Sequence, residues 1–142
     1  MATRIMVATS RYYADISAEL EAGCMEVLET AGCSVEMVEV PGAFEVPGII
    51  AMAADSARYD GYIALGCVIR GETTHYDYVC GESARGLMTL AVERRLAIGY
   101  GILTVENRAQ AEARADRKRK NKGAEAARAC LAMVDLRKKF VR

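Results

Sequence analysis

Apolar and polar positions along this chain follow two alternating rhythms. Ile5-Met6-Val7-Ala8 is a short unbroken apolar run, as expected of a strand buried on both faces. Over residues 14–31 the spacing of Ile16, Leu20, Cys24, Val27 and Leu28 predicts a helix, and Gly32 suits its C-terminal stop. Residues 35–40 alternate, with Glu36 and Glu39 among valines and a methionine, and predict a second strand that Pro41-Gly42 breaks. Pro47 fits the first turn of a helix running through Ile49, Ile50 and Ala53 to about residue 57. Residues 62–68 predict a third strand. A long helix over 74–96 then carries Val79, Ser83, Leu87, Leu90 and Ala91 on one face. A fourth strand over 98–105 contains Gly99 and Gly101, which permit close backbone approach. Two helices follow, over 108–118 and 124–139, the second with Ala126, Cys130, Met133 and Val134 facing inward.

Strands separated by helices long enough for crossovers predict a parallel sheet with helices on both faces, a three-layer α/β/α sandwich. The 142 residues are one domain's worth, and residues 1–142 are read as a single domain. In such sheets ligands bind at the carboxyl ends of the strands. The segments expected there are 9–13, 41–45, 67–75 and 103–107, so aromatic, carboxylate, imidazole and anion-binding groups gather on one edge.

Composition excludes several classes. A hydrophobic fraction of 52% against 27% charged is that of a folded domain and not of a disordered chain. Lys+Arg and Asp+Glu balance at 19 each, so there is no overall attraction to nucleic acid or anionic lipid. No apolar run approaches the roughly 20 residues a membrane span needs. The start, Met1-Ala2-Thr3-Arg4-Ile5-Met6-Val7-Ala8, is too short and polar for a secretory signal and reads as the first strand. The cysteines are Cys24, Cys33, Cys67, Cys80 and Cys130: an odd number, without a Cys-x-x-Cys pair, accompanied by one histidine. They predict reduced thiols in a cytoplasmic protein and no metal site.

The single histidine, His75, follows Arg70-Gly71-Glu72-Thr73-Thr74 at the junction of the third strand with the long helix. Backbone N–H groups at a helix start attract an anion, while an imidazole moves protons near neutral pH. Capping by Thr73 or Thr74 is compatible with both roles. Gly42-Ala43-Phe44-Glu45 offers a ring, a carboxylate and bare peptide groups to a planar polar ligand, although Phe44 also suits a core. Tyr12 and Tyr13 stand at the mouth of the first strand, and because neighbouring side chains diverge, one stacks on a ligand at most. The run from Arg114 to Lys122 holds six cations against Asp116 alone. On a helix these point all round and no aromatics interleave, so a solvated helix end is expected, with room for one arginine to clamp a phosphate.

Taken together, Pro41-Gly42-Ala43-Phe44-Glu45-Val46-Pro47, the block from Gly66 through Arg70, His75 and Val79, and Gly101 to Asn107 with Gln110, Arg114-Ala115 and Asn121-Lys122-Gly123 closely resemble the 6,7-dimethyl-8-ribityllumazine synthase family. The resemblance covers nearly the whole chain in order. It implies a flavodoxin-like four-stranded fold. The implied reaction condenses 5-amino-6-(D-ribitylamino)uracil with 3,4-dihydroxy-2-butanone 4-phosphate, releasing phosphate and water, with no cofactor or metal. It also implies a homopentamer with active sites between subunits, in some members built into a larger shell. By the same resemblance His75 shuttles protons and Arg114 binds phosphate, helped by the backbone at Glu72 and Thr73. Ala43, Phe44, Glu45, Cys67, Val68 and Ile69 hold the pyrimidine and ribityl chain. Tyr12 stacks on the pyrimidine, Tyr100 closes the pocket from the adjacent subunit, and Lys122 lies near the phosphate. Tyr at 12, Tyr at 13, Cys at 67 and Tyr at 100 depart from the residues common in the family, while keeping ring or size.

Two other functions stand beside the enzyme: a non-catalytic lumazine or flavin binder, and a shell-forming protein on the same scaffold. Joint retention of His75, Arg114 and the Arg70 to Thr74 turn speaks against the binder, since an unphosphorylated ligand needs none of them. The cations of residues 114–122 and a short N-terminus favour a free pentamer over a shell.

Overall fold

The computed structural model describes residues 1–141, and among them four strands and five α-helices follow in the expected order. They are β1 (Arg4–Ser10), α1 (Ala14–Thr30), β2 (Ser34–Val40), a single 3-10 turn (Ala43–Glu45), α2 (Val46–Asp55), β3 (Gly61–Ile69), α3 (His75–Glu93), β4 (Ile98–Val105), α4 (Arg108–Ala115) and α5 (Lys122–Phe140). The strands pair in parallel in the order β2-β1-β3-β4, with Ala8 beside both Val38 and Ala64, and Ala64 beside Tyr100. From β1 the chain passes to β2 on one side and then returns past it to β3 on the other. If each crossover keeps the right hand, α1 and α2 must lie on opposite faces.

They do. On one face Cys24 and Leu28 of α1 join Ala126, Ala127, Cys130 and Val134 of α5 over Ile5, Val7, Ile63 and Leu65. On the other, Val46 and Ile50 of α2 and Val79 and Leu87 of α3 cover Met6, Ala8, Tyr62, Ala64 and Ile102. Ile5, Leu20, Leu28, Ile63 and Leu65 are wholly buried, each stabilising the fold by on the order of 2 kcal/mol. The α4 helix seals the carboxyl ends of β3 and β4 through Ala111 and Ala115 against Cys67, Leu103 and Val105.

Helix α5 approaches more closely than ordinary side chains allow. A Cβ placed on Gly99 of β4 would lie 2.0 Å from the carbonyl oxygen of Ala126, and one on Gly123 would lie 2.0 Å from the carbonyl oxygen of Leu20. Both partners are backbone, so α5 is wedged between the sheet and α1 with no slack.

Three expectations about element ends and faces are corrected. The helix predicted to reach residue 118 stops at Ala115, because Asp116 competes for the backbone: its carboxylate accepts from the Lys118 N–H at 2.8 Å, and its carbonyl from Arg119 and Asn121. Residues 114–122 are therefore no continuous helix end. Arg117 pairs with Glu19 and Glu26, Arg119 with Asp116 and Lys122 with Glu125. The helix predicted to reach residue 96 ends at Glu93, where Arg95 turns left-handed (φ 55°) and its carbonyl accepts from Arg137 at 2.8 Å. Met133, expected to face inward, is 46% exposed. The inner stripe of α5 runs through small residues, and position 133 lies about 100° of helical turn from Val134, outside that stripe.

All five cysteines are free. Burial pushes the Cys24 and Cys130 thiols up to about 12. In the unfolded chain a thiol titrates near about 8.5, so above that pH the unfolded state ionises while the native state stays protonated. The resulting stability is intact below about pH 8.5 and is lost as pH rises towards the native value, by about 1.4 kcal/mol per pH unit for each thiol. The urea midpoint is thus expected to hold level to about pH 8 and fall steeply beyond about pH 9, less steeply in Cys130→Ala. A level midpoint to about pH 10.5 contradicts it.

Candidate active site

At the carboxyl ends of β1, β2 and β3, where the strand order reverses, the loops enclose a cavity of about 550 Å³, a size suited to a small-molecule ligand. Each wall has its own local cause. After β1, Arg11 donates to both carboxylate oxygens of Glu21 at 2.9 and 3.0 Å, and the buried Thr9 hydroxyl donates to the same group at 2.9 Å. With the loop anchored, Tyr12 is 75% exposed over the cavity. Tyr13 meets it edge-on, centroids 5.0 Å apart, and packs half-buried against the core beneath α4. The two tyrosines thus take the divergent orientations expected of neighbours, though both touch the cavity.

After β2, Pro41-Gly42 leads into the 3-10 turn. Ala43 is buried and anchors that turn, while Phe44 and Glu45 project outward beside the cavity. Cys67, Val68 and Ile69 form the floor at the end of β3. Burial pushes the Cys67 thiol up to about 11, which keeps it protonated at neutral pH and makes it a poor nucleophile there.

The turn between β3 and α3 supplies the polar wall. Arg70 N–H still belongs to the sheet, donating to Val105 at 2.9 Å. Among the described residues, no acceptor lies within hydrogen-bond geometry of the N–H groups of Gly71, Glu72, Thr73 or Thr74. His75 opens α3, with its own N–H donating to the Thr73 hydroxyl at 3.3 Å. Free amides and the positive end of a 19-residue helix therefore sit beside an exposed imidazole.

Of the residues singled out by sequence, Tyr12, Ala43, Phe44, Glu45, Cys67, Val68, Ile69, Thr73 and His75 line one cavity. Glu72, Tyr100, Arg114 and Lys122 do not. Tyr100 lies partly exposed on β4 near Ser83 and Cys80. The Arg114 guanidinium donates to the Gln110 carbonyl at 3.1 Å on α4, and Lys122 pairs with Glu125 at the start of α5. Ser10, Tyr76 and Val79 line the cavity without having been singled out as site residues, and Gly71 of the anion-binding turn and Tyr13, the alternative to Tyr12 for stacking, line it as well. For Tyr76 and Val79 a signal existed, since they adjoin His75 or follow it by four positions on the same helix. Among the described residues no group of three or more His, Cys, Asp or Glu is arranged to hold a metal, and no helix is long and apolar enough to cross a membrane.

A doubly wound sheet with a small-molecule cavity at its switch point, walled by a ring, a carboxylate, an imidazole and a free helix start, defines an α/β protein equipped for anionic substrates. The family described as 6,7-dimethyl-8-ribityllumazine synthase matches residues 2–138. Relatives of that name are 52% identical over 137 residues in Novosphingobium aromaticivorans (96% of this chain, 98% of the relative) and 54% over 136 in Sphingopyxis alaskensis (96% of each). Another, from Bartonella bacilliformis, is 51% identical over 138 residues (96% and 91%). The chain belongs to the 6,7-dimethyl-8-ribityllumazine synthase family.

Proposed function

We propose that the cavity at the ends of β1, β2 and β3 is one half of the synthase site, with His75 moving protons in it. The chain, as a family member, condenses 5-amino-6-(D-ribitylamino)uracil with 3,4-dihydroxy-2-butanone 4-phosphate to 6,7-dimethyl-8-ribityllumazine, releasing phosphate and water in the penultimate step of riboflavin formation. The observation that carries the site assignment is the convergence of Tyr12, Phe44, Glu45, Thr73 and His75 on one cavity. In this reading Tyr12 stacks on the pyrimidine, and Phe44, Glu45 and the end of β3 hold the ring and ribityl chain. The phosphate rests on the amides of residues 71–73. Imine formation, phosphate departure and ring closure each need a proton moved, and His75 stands between the helix start and the cavity to move it.

The other half comes from a second copy. Tyr100, Arg114 and Lys122 belong to β4, α4 and α5, none of which lines the cavity, so they act on the cavity of the neighbour in a ring. The interface is heterologous and closes by rotation, as a homopentamer in this reading. Free thiols suit a cytoplasmic setting, and residues 1–142 act as one domain.

Two variants test this. Arg114→Ala is expected to raise KM for the phosphorylated substrate about tenfold or more, since a guanidinium holds phosphate by charge-assisted bonds. Mixing His75→Ala and Arg114→Ala chains then rebuilds intact sites wherever an unaltered cavity meets an unaltered neighbour, about a quarter of the interfaces in a random ring. Activity above the sum of the parents supports the shared site. An unchanged KM, or no recovery on mixing after dissociation and reassembly, refutes it.

A further inference from the structure

Arg70 does not line the cavity, yet its side chain reaches Tyr76, which does, and the carboxylates of Asp77 and Glu106, which do not. Its Nε donates to Glu106, just beyond β4, at 2.6 Å, and its Nη1 to Asp77 in the first turn of α3 at 3.5 Å. Its guanidinium carbon stands 4.3 Å from the centroid of the Tyr76 ring, which does line the cavity. Glu106 is itself held, its N–H donating to the Gln110 side chain at 2.8 Å, and Gln110 N–H donates in turn to Asn107. One side chain thus links the end of β3, the first turn of α3 and the start of α4.

Ion pairs this exposed add little to global stability. Their consequence is local. The N–H groups from Gly71 to Thr74 find no acceptor among the described residues, and the segment is held where it runs into α3: the Thr73 hydroxyl accepts from the His75 N–H, and the Thr74 carbonyl from the N–H groups of Asp77 and Tyr78. The backbone bond at Arg70 fixes where this segment begins, and the guanidinium fixes the helix turn where it ends.

We propose that Arg70 is a positioning residue for the reaction: through Glu106, Asp77 and Tyr76 it holds the turn that presents the amides of residues 71–73 and His75 to the phosphorylated substrate. The inference rests on the site reading above. It requires a planar group that bonds in its plane and stacks on its face at once, which arginine supplies and lysine does not. The pyrimidine side of the cavity, built on other loops, is outside its reach.

Steady-state kinetics with each substrate varied in turn, on Arg70→Gln, Arg70→Lys, Glu106→Ala and the Arg70→Gln/Glu106→Ala pair, tests it. Arg70→Gln is expected to lower kcat about tenfold and raise KM for the butanone phosphate about fivefold, with KM for the aminouracil within about twofold of the parent. Arg70→Lys should restore little, and the double variant should be no worse than Arg70→Gln because both changes cut one link. If Arg70→Gln fails to fold, Glu106→Ala, an exposed change, is expected to show the same split more weakly. Parental kinetics, equal changes in both KM values, full rescue by lysine or multiplied effects in the pair overturn the proposal. His75→Ala and Thr73→Val assayed alongside separate the two ideas. If they slow turnover while the Arg70 variants do not, only the positioning role falls; if they too are silent, the site reading itself fails.

Discussion

Replacing His75 with alanine is expected to lower kcat roughly a hundredfold while leaving KM for both substrates within a few-fold, at the lower end of what a general acid–base group contributes. His75 is the only histidine in the chain and stands exposed at the first position of α3, on the cavity wall. The neighbouring groups are poor replacements near neutral pH. Burial pushes the Cys67 thiol up to about 11, and it raises the Tyr13 and Tyr76 phenols above their ordinary value. Activity should nonetheless persist, because holding two reactants in one cavity removes an entropic barrier that needs no proton shuttle. Added imidazole should restore part of the lost rate to the alanine variant. Turnover equal to the parent would remove His75 from the chemistry.

Gly123→Ala is expected to cost about 3 kcal/mol or more of folding stability, above the usual cost of overpacking. The new methyl would stand 2.0 Å from the carbonyl oxygen of Leu20 and 2.8 Å from its carbonyl carbon, so no side chain can swing aside. Relief would require α5 to move away from α1, but α5 is pressed on its other side against β4 at Gly99, where a Cβ would lie 2.0 Å from Ala126. Nothing lies within 4 Å of a Cβ built on Gly48 of α2, so Gly48→Ala serves as the control and should change stability little. Urea unfolding of the two variants measures the difference. Equal midpoints would show that α1 and α5 separate freely.

The order of strands and helices along the chain, and a sheet covered on both faces, were legible in the residues alone. The apolar run at residues 5–8 and the 3.6-residue stripes of Ile16, Leu20, Cys24 and Leu28, or of Val79 and Leu87, record which side of each element meets the core. Periodicity is a direct trace of burial, so strand and helix identity could be read from it. The junction of β3 and α3 was legible for a similar reason, since an apolar run, a glycine and two threonines mark where a strand stops and a helix starts. The ends of α3 and α4 were not. Arg95 and Asp116 stop them through a backbone turn and a local side-chain bond that leave no mark on the apolar pattern.

Which chemical groups meet was settled only when the layers packed. Packing put Tyr76 and Val79 on the cavity, left Arg114 and Lys122 on elements outside it, and turned Met133 outward. It joined Arg70 to Glu106 across 36 positions of sequence and Arg117 to Glu19 across 98. Such pairings depend on strand register, on helix rotation and on how far a side chain reaches. Those quantities come into being only when the layers pack, because the alternation of apolar and polar residues specifies a face without specifying what will stand opposite it.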